Sequence, residues 1–209
     1  MIDLTTIRSK IHQYMSEKRL EHTYRVSDTA RDLAIHYGQD QTLSAAAGLL
    51  HDIAKRFTRD DFDAEGIVLP PSVRAVYDTY PPVFHAFSGP FLAQVKLGIT
   101  SKPVLRAMKW HTTGRAKMTP LEQILYVADY IEPGRPFALC PLVRDYAYRS
   151  LDIATYAVTV ISVLDLVQRG KRIHPGTQAC REHYVTKLEK DDFSRLHQEI
   201  ERILYVNEG

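Results

Sequence analysis

The sequence predicts an all-α protein, and three observations predict it. Apolar residues recur at three- and four-residue steps through nearly every segment. No stretch alternates apolar and polar residues as a half-buried strand does, and no repeat or low-complexity tract interrupts the pattern. Helix punctuation separates the segments: Asp40 and Thr119-Pro120-Leu121-Glu122 stand before apolar runs, and Gly38, Gly114 and Gly170 stand after them. The 209 residues, 44% hydrophobic, suffice for a single domain with its own core.

In chain order, residues 3–18 read as a short amphipathic helix with Leu4, Ile7, Ile11, Tyr14 and Met15 on one face. The next helix runs from near Lys18 to Gly38; its stripe of Val26, Ala30, Leu33, Ala34 and Tyr37 steps back four residues to His22, which therefore points inward. Asp40 caps a third helix, in which Leu43, Ala47 and His51 share a line that Lys55 extends by one turn. This helix is apolar on every side around His51-Asp52. Thr58 to Asp61 resembles another start, but Gly66 and Pro70-Pro71 allow only short helices before Tyr80. A helix over 82–97 carries Phe84, Phe87, Phe91, Leu92 and Val95, and sets His85 against the small Ser88 and Gly89. The helix from Lys102 to Trp110 brings Val104, Ala107 and Met108 into register with His111. Thr119 with Pro120 and Glu122 forms a capping box, and Leu121, Leu125 and Asp129 then lie four apart, putting a carboxylate on an apolar row. One long helix is expected over 142–168, with Leu151, Ala154, Val158, Ile161 and Leu164 as its stripe, followed by helices over about 177–189 and 192–206.

Composition excludes several function classes. A formal charge of +2 with interspersed signs gives no basic stripe for nucleic acid and no polybasic patch for a membrane. Cys140 and Cys180 have no CxxC spacing, which suits a reducing cytoplasm and neither a disulfide framework nor a zinc knuckle. The N-terminus has no apolar signal core, and the oily run from Ala157 to Leu164 is far shorter than the roughly 20 residues a spanning helix needs.

His22, His51, Asp52, His111 and Asp129 thus occupy inward positions on four helices, with His85 as a sixth candidate. A lone inward histidine is more often a core residue satisfied by a carbonyl. Several histidines and two carboxylates together would each need a separate partner unless one ion gathered them. Imidazole and carboxylate without thiolate suit iron, manganese, cobalt, nickel or zinc better than calcium or a structural zinc site. Such an ion with an open position supports hydrolysis of a phosphoryl group.

His22 followed by His51-Asp52 and a distant Asp129 resembles the HD-domain phosphohydrolase superfamily. His111-Thr-Thr-Gly-Arg115, Ala128-Asp-Tyr-Ile-Glu-Pro-Gly-Arg135 and Ile173-His-Pro-Gly-Thr177 are more narrowly similar to the bacterial YqeK family of symmetrical diadenosine tetraphosphate hydrolases. The likeness extends from about Arg19 to Arg181, with the remainder as a C-terminal helical extension of one HD-type helical bundle spanning 1–209. It implies an iron held by His22, His51, Asp52 and Asp129, and a role for His85 and His111 at a second metal position or on phosphates. It also implies nucleotide contacts from Arg19, His22, Lys55, His85, His111, Thr112, Arg135, His174, Thr177 and Arg181. Arg19 and Lys55 each lie about one turn from a proposed ligand, within reach of phosphates bridging to the metal. Where the family usually reads Leu-Glu-Ala-Arg-Asn, this chain has Gln178-Ala-Cys-Arg-Glu182, an acid where an amide is usual.

The function implied is attack of metal-activated water on the tetraphosphate bridge, giving two ADP, with His51, Asp52, Lys55 and Asp129 as the catalytic group. The expected partner is this small-molecule nucleotide. Two alternatives stand beside it: an HD phosphohydrolase for another nucleotide, and a non-catalytic metal- and nucleotide-dependent sensor. The sequence leaves the native metal, the number of ions and the choice between monomer and homodimer open.

Overall fold

A computed structural model describes residues 2–206, and twelve α-helices with no strand account for the architecture of the described residues. They are α1 (Leu4–Ile11), α2 (Glu17–His36), α3 (Gln41–Leu50), α4 (Arg59–Ala64), α5 (Pro71–Thr79), α6 (Phe84–Leu97), α7 (Lys102–Trp110), α8 (Pro120–Ile131), α9 (Cys140–Ala147), α10 (Leu151–Gln168), α11 (Pro175–Val185) and α12 (Lys190–Val206), with a 3₁₀ turn at Pro81–Val83 before α6. The all-α expectation holds.

Side-chain caps set several of the helix starts. Asp40 accepts the Thr42 and Leu43 amides at 2.8 and 2.9 Å. Thr58 with Asp61, and Thr119 with Glu122, form reciprocal capping boxes. Helix α3 is the hub: it packs on α1, α2, α7 and α8, and every residue from Ser44 to Leu50 is buried. Leu49, Leu50 and the following Ile53 are fully buried; burial of such a side chain is worth roughly 2 kcal/mol. Helices α2 and α3 pack closely at Gly48, where a Cβ would lie 2.5 Å from the Ser27 Cα.

Three expectations need correction. The first helix stops at Ile11, because residues 12–15 turn so that Ser16 can open α2 in an extended conformation. Helix α3 ends at Leu50, so His51-Asp52 sits at its C-terminus and not within it. The His51 ring bonds the Gly48 carbonyl, and the next turns tighten to Ile53 N on Leu50 O and Lys55 N on Asp52 O. The helix expected over 142–168 is two helices, α9 and α10, broken where Ser150 goes extended and its hydroxyl accepts the Ile153 amide. On α10 the buried face runs through Ala154, Ala157 and Val158, whereas Leu164 is 44% exposed.

Helix α10 as a whole is long and apolar enough to cross a membrane by length and composition, in contrast to the short oily run within it. Half of it is buried among neighbouring helices α8, α9 and α11, as in a core helix.

Candidate metal centre

Five elements deliver the inward histidines and carboxylates to one place. Helix α2 supplies His22, the turns after α3 supply His51 and Asp52, the first turn of α6 supplies His85, the end of α7 supplies His111, and α8 supplies Asp129. The imidazoles run in a chain, His22, His51, His111 and His85, with ring centroids 5.3, 5.0 and 5.1 Å apart.

Two of the rings have their tautomer set by a backbone carbonyl behind them. His51 Nδ1 donates to Gly48 O at 2.7 Å, and His111 Nδ1 donates to Met108 O at 2.6 Å, the same step of three residues at two helix C-termini. Their Nε2 lone pairs therefore point inward. His85 Nε2 stands 3.0 Å from both Lys55 Nζ, a donor, and Asp52 Oδ1, an acceptor.

These lone pairs converge on space shared with the carboxylates. His22 Nε2 lies 3.1 Å from Asp129 Oδ1, and His51 Nε2 lies 3.4 Å from Asp52 Oδ2 and 3.7 Å from Asp129 Oδ1. Asp52 Oδ1 is 3.0 Å from His85 Nε2 and 3.6 Å from His111 Nε2. Yet His51 Nε2 and Asp52 Oδ1, both buried, have no hydrogen-bond partner. Donor atoms of His22, His51 and Asp129, and of His51, Asp52 and His111, lie within 4.8 Å of one another. Two orphaned buried atoms among nitrogen and oxygen donors fit a divalent metal ion, which would give them the partners they lack.

Three cations line the same space. Arg19 Nη1 reaches Asp52 Oδ2 at 2.8 Å, Lys55 Nζ reaches Asp52 Oδ1 at 3.4 Å, and Arg135 Nη2 bonds Asp129 Oδ1. All three retain part of their surface, whereas the Asp52 side chain is 3% exposed and Asp129 21%, so Asp129 is less buried than its apolar row suggests. Burial alone would raise both carboxyls. His51, His111 and His85 around Asp52, and His22, His51 and Arg135 around Asp129, outweigh it and hold each well below the usual carboxylate range.

Burial pushes His85 down to about 4, reinforced by Lys55 and opposed by Asp52. Between pH 6.5 and about 4 the unfolded chain therefore binds a proton at His85 that the folded chain does not. Stability from the neutral ring is complete above that window and is lost as pH falls through it, by about 3 kcal/mol. Urea unfolding across the window checks this, with a flatter slope expected for His85→Gln; an equal slope in the variant would refute it.

Thr112 joins the centre, its hydroxyl 2.9 Å from His111 Nε2. His174 caps α11, accepting the Gly176 amide at 2.9 Å, and its ring lies 4.9 Å from Tyr80 and 5.2 Å from Phe87. A Cβ on Gly176 would lie 3.0 Å from Gly114 O, so the turn holding His174 and the buried Thr177 rests on the loop that follows Thr112. Arg181 is elsewhere: with Glu182 it lines a groove of about 420 Å³ formed with Tyr156, Val160 and Phe193. The sequence reading missed Glu132, which is 1% exposed and 3.1 Å from His22 Nδ1, and Arg25, which bonds it at 2.6 Å. Apolar periodicity does not mark it, because Glu132 is the C-cap of α8, one residue past its end at Ile131 and beside Pro133-Gly134.

A family model described as HD domain matches residues 19–134. The symmetrical bis(5'-nucleosyl)-tetraphosphatase of Halalkalibacterium halodurans is 34% identical over 170 residues, covering 81% of this chain and 90% of that protein. Its namesake from Staphylococcus aureus is 35% identical over 175 residues, covering 81% of this chain and 88% of its own length. A crystal structure from Clostridium acetobutylicum, described as a predicted HD superfamily hydrolase involved in NAD metabolism, superposes with a TM-score of 0.79 at 31% identity, covering 90% of this chain and 100% of that one. The chain belongs to the HD-domain family and, within it, to the YqeK-like group that includes these tetraphosphatases.

Proposed function

We propose that this chain is a metal-dependent phosphohydrolase that cleaves diadenosine tetraphosphate symmetrically into two ADP, the reaction named for its relatives. The observation that carries the reading is a single buried cluster in which histidine and carboxylate donors converge and three cations engage the same carboxylates. An ion held by His22, His51, Asp52 and Asp129, iron first and manganese, cobalt, nickel or zinc as alternatives, supplies Lewis acidity toward water and a phosphoryl oxygen.

The chain's own residues do the rest. Arg19, Lys55 and Arg135 bind the phosphates, Arg135 through a guanidinium already oriented by the Asp129 carbonyl at 2.8 Å. Their positive charge offsets the charge that develops on the departing ADP. His85, neutral at pH 7, and His111 turn their Nε2 atoms toward Asp52, a second position suited to another ion or to a phosphate-bound proton. Thr112, His174 and Thr177 line the approach for the nucleotide; Arg181 serves the nucleotide only if the groove it lines holds part of it. The whole chain, 1–209, acts as one cytoplasmic hydrolase domain with its motif-bearing core over about 19–181, and its partner is a small nucleotide in place of nucleic acid or membrane. Product analysis tests the reading: ADP alone is expected from diadenosine tetraphosphate, and AMP with ATP would overturn it.

A further inference from the structure

We propose that Glu132 is a positioning residue that fixes the tautomer and direction of His22, and that the Glu132-Pro-Gly-Arg135 turn exists to hold it there. The inference rests on the reading of His22 as a metal ligand. His51 and His111 sit at helix ends, where Gly48 O and Met108 O are free to accept their Nδ1 protons. His22 lies inside α2, where the carbonyls behind it are occupied by the helix, so its ring needs an acceptor from elsewhere. Glu132 Oε1 provides one at 3.1 Å from Nδ1. Nε2 faces a second carboxylate, Asp129 Oδ1, also at 3.1 Å; a metal ion held by Nε2 and Asp129 would leave the ring's one proton on Nδ1, where a carboxylate that only accepts takes it.

The carboxylate is itself held on every side. Glu132 Oε2 accepts Arg25 Nε and the Gly134 amide, each at 2.6 Å. A Cβ on Gly134 would lie 2.5 Å from Arg25 Nε, so glycine there makes room for the guanidinium. Arg144 anchors the same turn through the Ile131 and Glu132 carbonyls at 2.7 and 2.9 Å. Arg135 then bonds the Asp129 carbonyl and carboxylate. One four-residue turn thereby orients two donors, His22 from α2 and Asp129 from α8.

The arrangement makes an isosteric substitution the most damaging. In Glu132→Gln the two donors at Oε2 select the amide oxygen, which turns the NH₂ toward His22 Nδ1 and drives the ring proton onto Nε2. Glu132→Ala leaves Nδ1–H to water, and Glu132→Asp keeps an acceptor-only group. Affinity for zinc, measured by chelator competition, is expected to fall by about 10- to 100-fold in Glu132→Gln, less in Glu132→Ala and least in Glu132→Asp. In zinc-loaded, histidine-¹⁵N-labelled protein the His22 Nδ1–H resonance is expected in the original sequence and absent in Glu132→Gln. A packing role gives the reverse order, with glutamine nearest the original protein in affinity and thermal stability, and that order overturns the proposal. Zinc bound by the original protein with equal affinity in Glu132→Gln also overturns it alone. Failure of the original protein to bind zinc, iron or manganese overturns the reading of the centre and this inference together.

Discussion

His51→Ala is expected to fold and to lose turnover by about 10³-fold or more, the scale on which removal of a preorganised electrostatic group is felt. The ring is fully buried, but its single hydrogen bond is the one to Gly48 O, and its inward nitrogen has no partner. Deleting it removes an orphaned polar atom along with packing, so the stability cost stays within the ordinary range for a buried large-to-small change, about 2–4 kcal/mol. The loss of function has a different origin, because His51 Nε2 is the nitrogen that stands within 4 Å of both Asp52 Oδ2 and Asp129 Oδ1. Asp52→Asn makes the complementary test: it removes the charge that Arg19 and Lys55 meet while preserving shape. ADP release from diadenosine tetraphosphate, metal content and far-ultraviolet circular dichroism separate the two effects. A folded His51→Ala or Asp52→Asn protein with undiminished turnover would remove the centre from the mechanism and favour the sensor reading.

The parts of this structure that were legible in sequence are those in which a local rule and the final packing agree. The capping box at Thr119 predicts a helix beginning at Pro120, and α8 begins there; the Lys102 to Trp110 helix has the bounds its apolar spacing gives. One turn back from Val26, the stripe of α2 places His22 inward, and both residues are buried. What was hidden depends on side chains that bond backbone or distant partners without disturbing hydrophobic periodicity. The pattern of α3 runs on to Ala54, but His51 ends the helix by taking Gly48 O, a competition between side chain and backbone that apolar spacing does not register. The break at Ser150 needs neither proline nor glycine, only a hydroxyl that caps Ile153. Glu132 stands beside Pro133-Gly134 and reads as the edge of a surface loop; its burial is decided by Arg25, 107 positions away.

Gly48→Ala is expected to destabilise the protein and weaken metal binding together, although alanine is the better helix former by about 1 kcal/mol. The added methyl would lie 2.5 Å from Ser27 Cα and 2.8 Å from Ser27 N. These are backbone atoms of α2, which no rotamer change can move aside, so α2 and α3 must separate where they cross. Overpacking of this kind costs about 1–3 kcal/mol and outweighs the propensity gain. The net loss, up to about 2 kcal/mol, corresponds to a fall in Tm of up to about 8 °C for a chain of this size. The separation also reaches the centre, since His22 and Asp129 Oδ1 face His51 from helices that α3 must leave or push: His51 follows Gly48 by three residues, and His51 Nε2 stands 3.7 Å from Asp129 Oδ1. Affinity for zinc is therefore expected to drop in step with Tm. Gly89→Ala is the control within the same core, because its Cβ would meet nothing closer than 3.6 Å and only the propensity gain remains. Calorimetry and chelator competition on both variants decide the matter: a higher Tm in Gly48→Ala with unchanged zinc affinity would show that the helix crossing has slack and that the spacing of His22 and His51 is set by something other than this glycine.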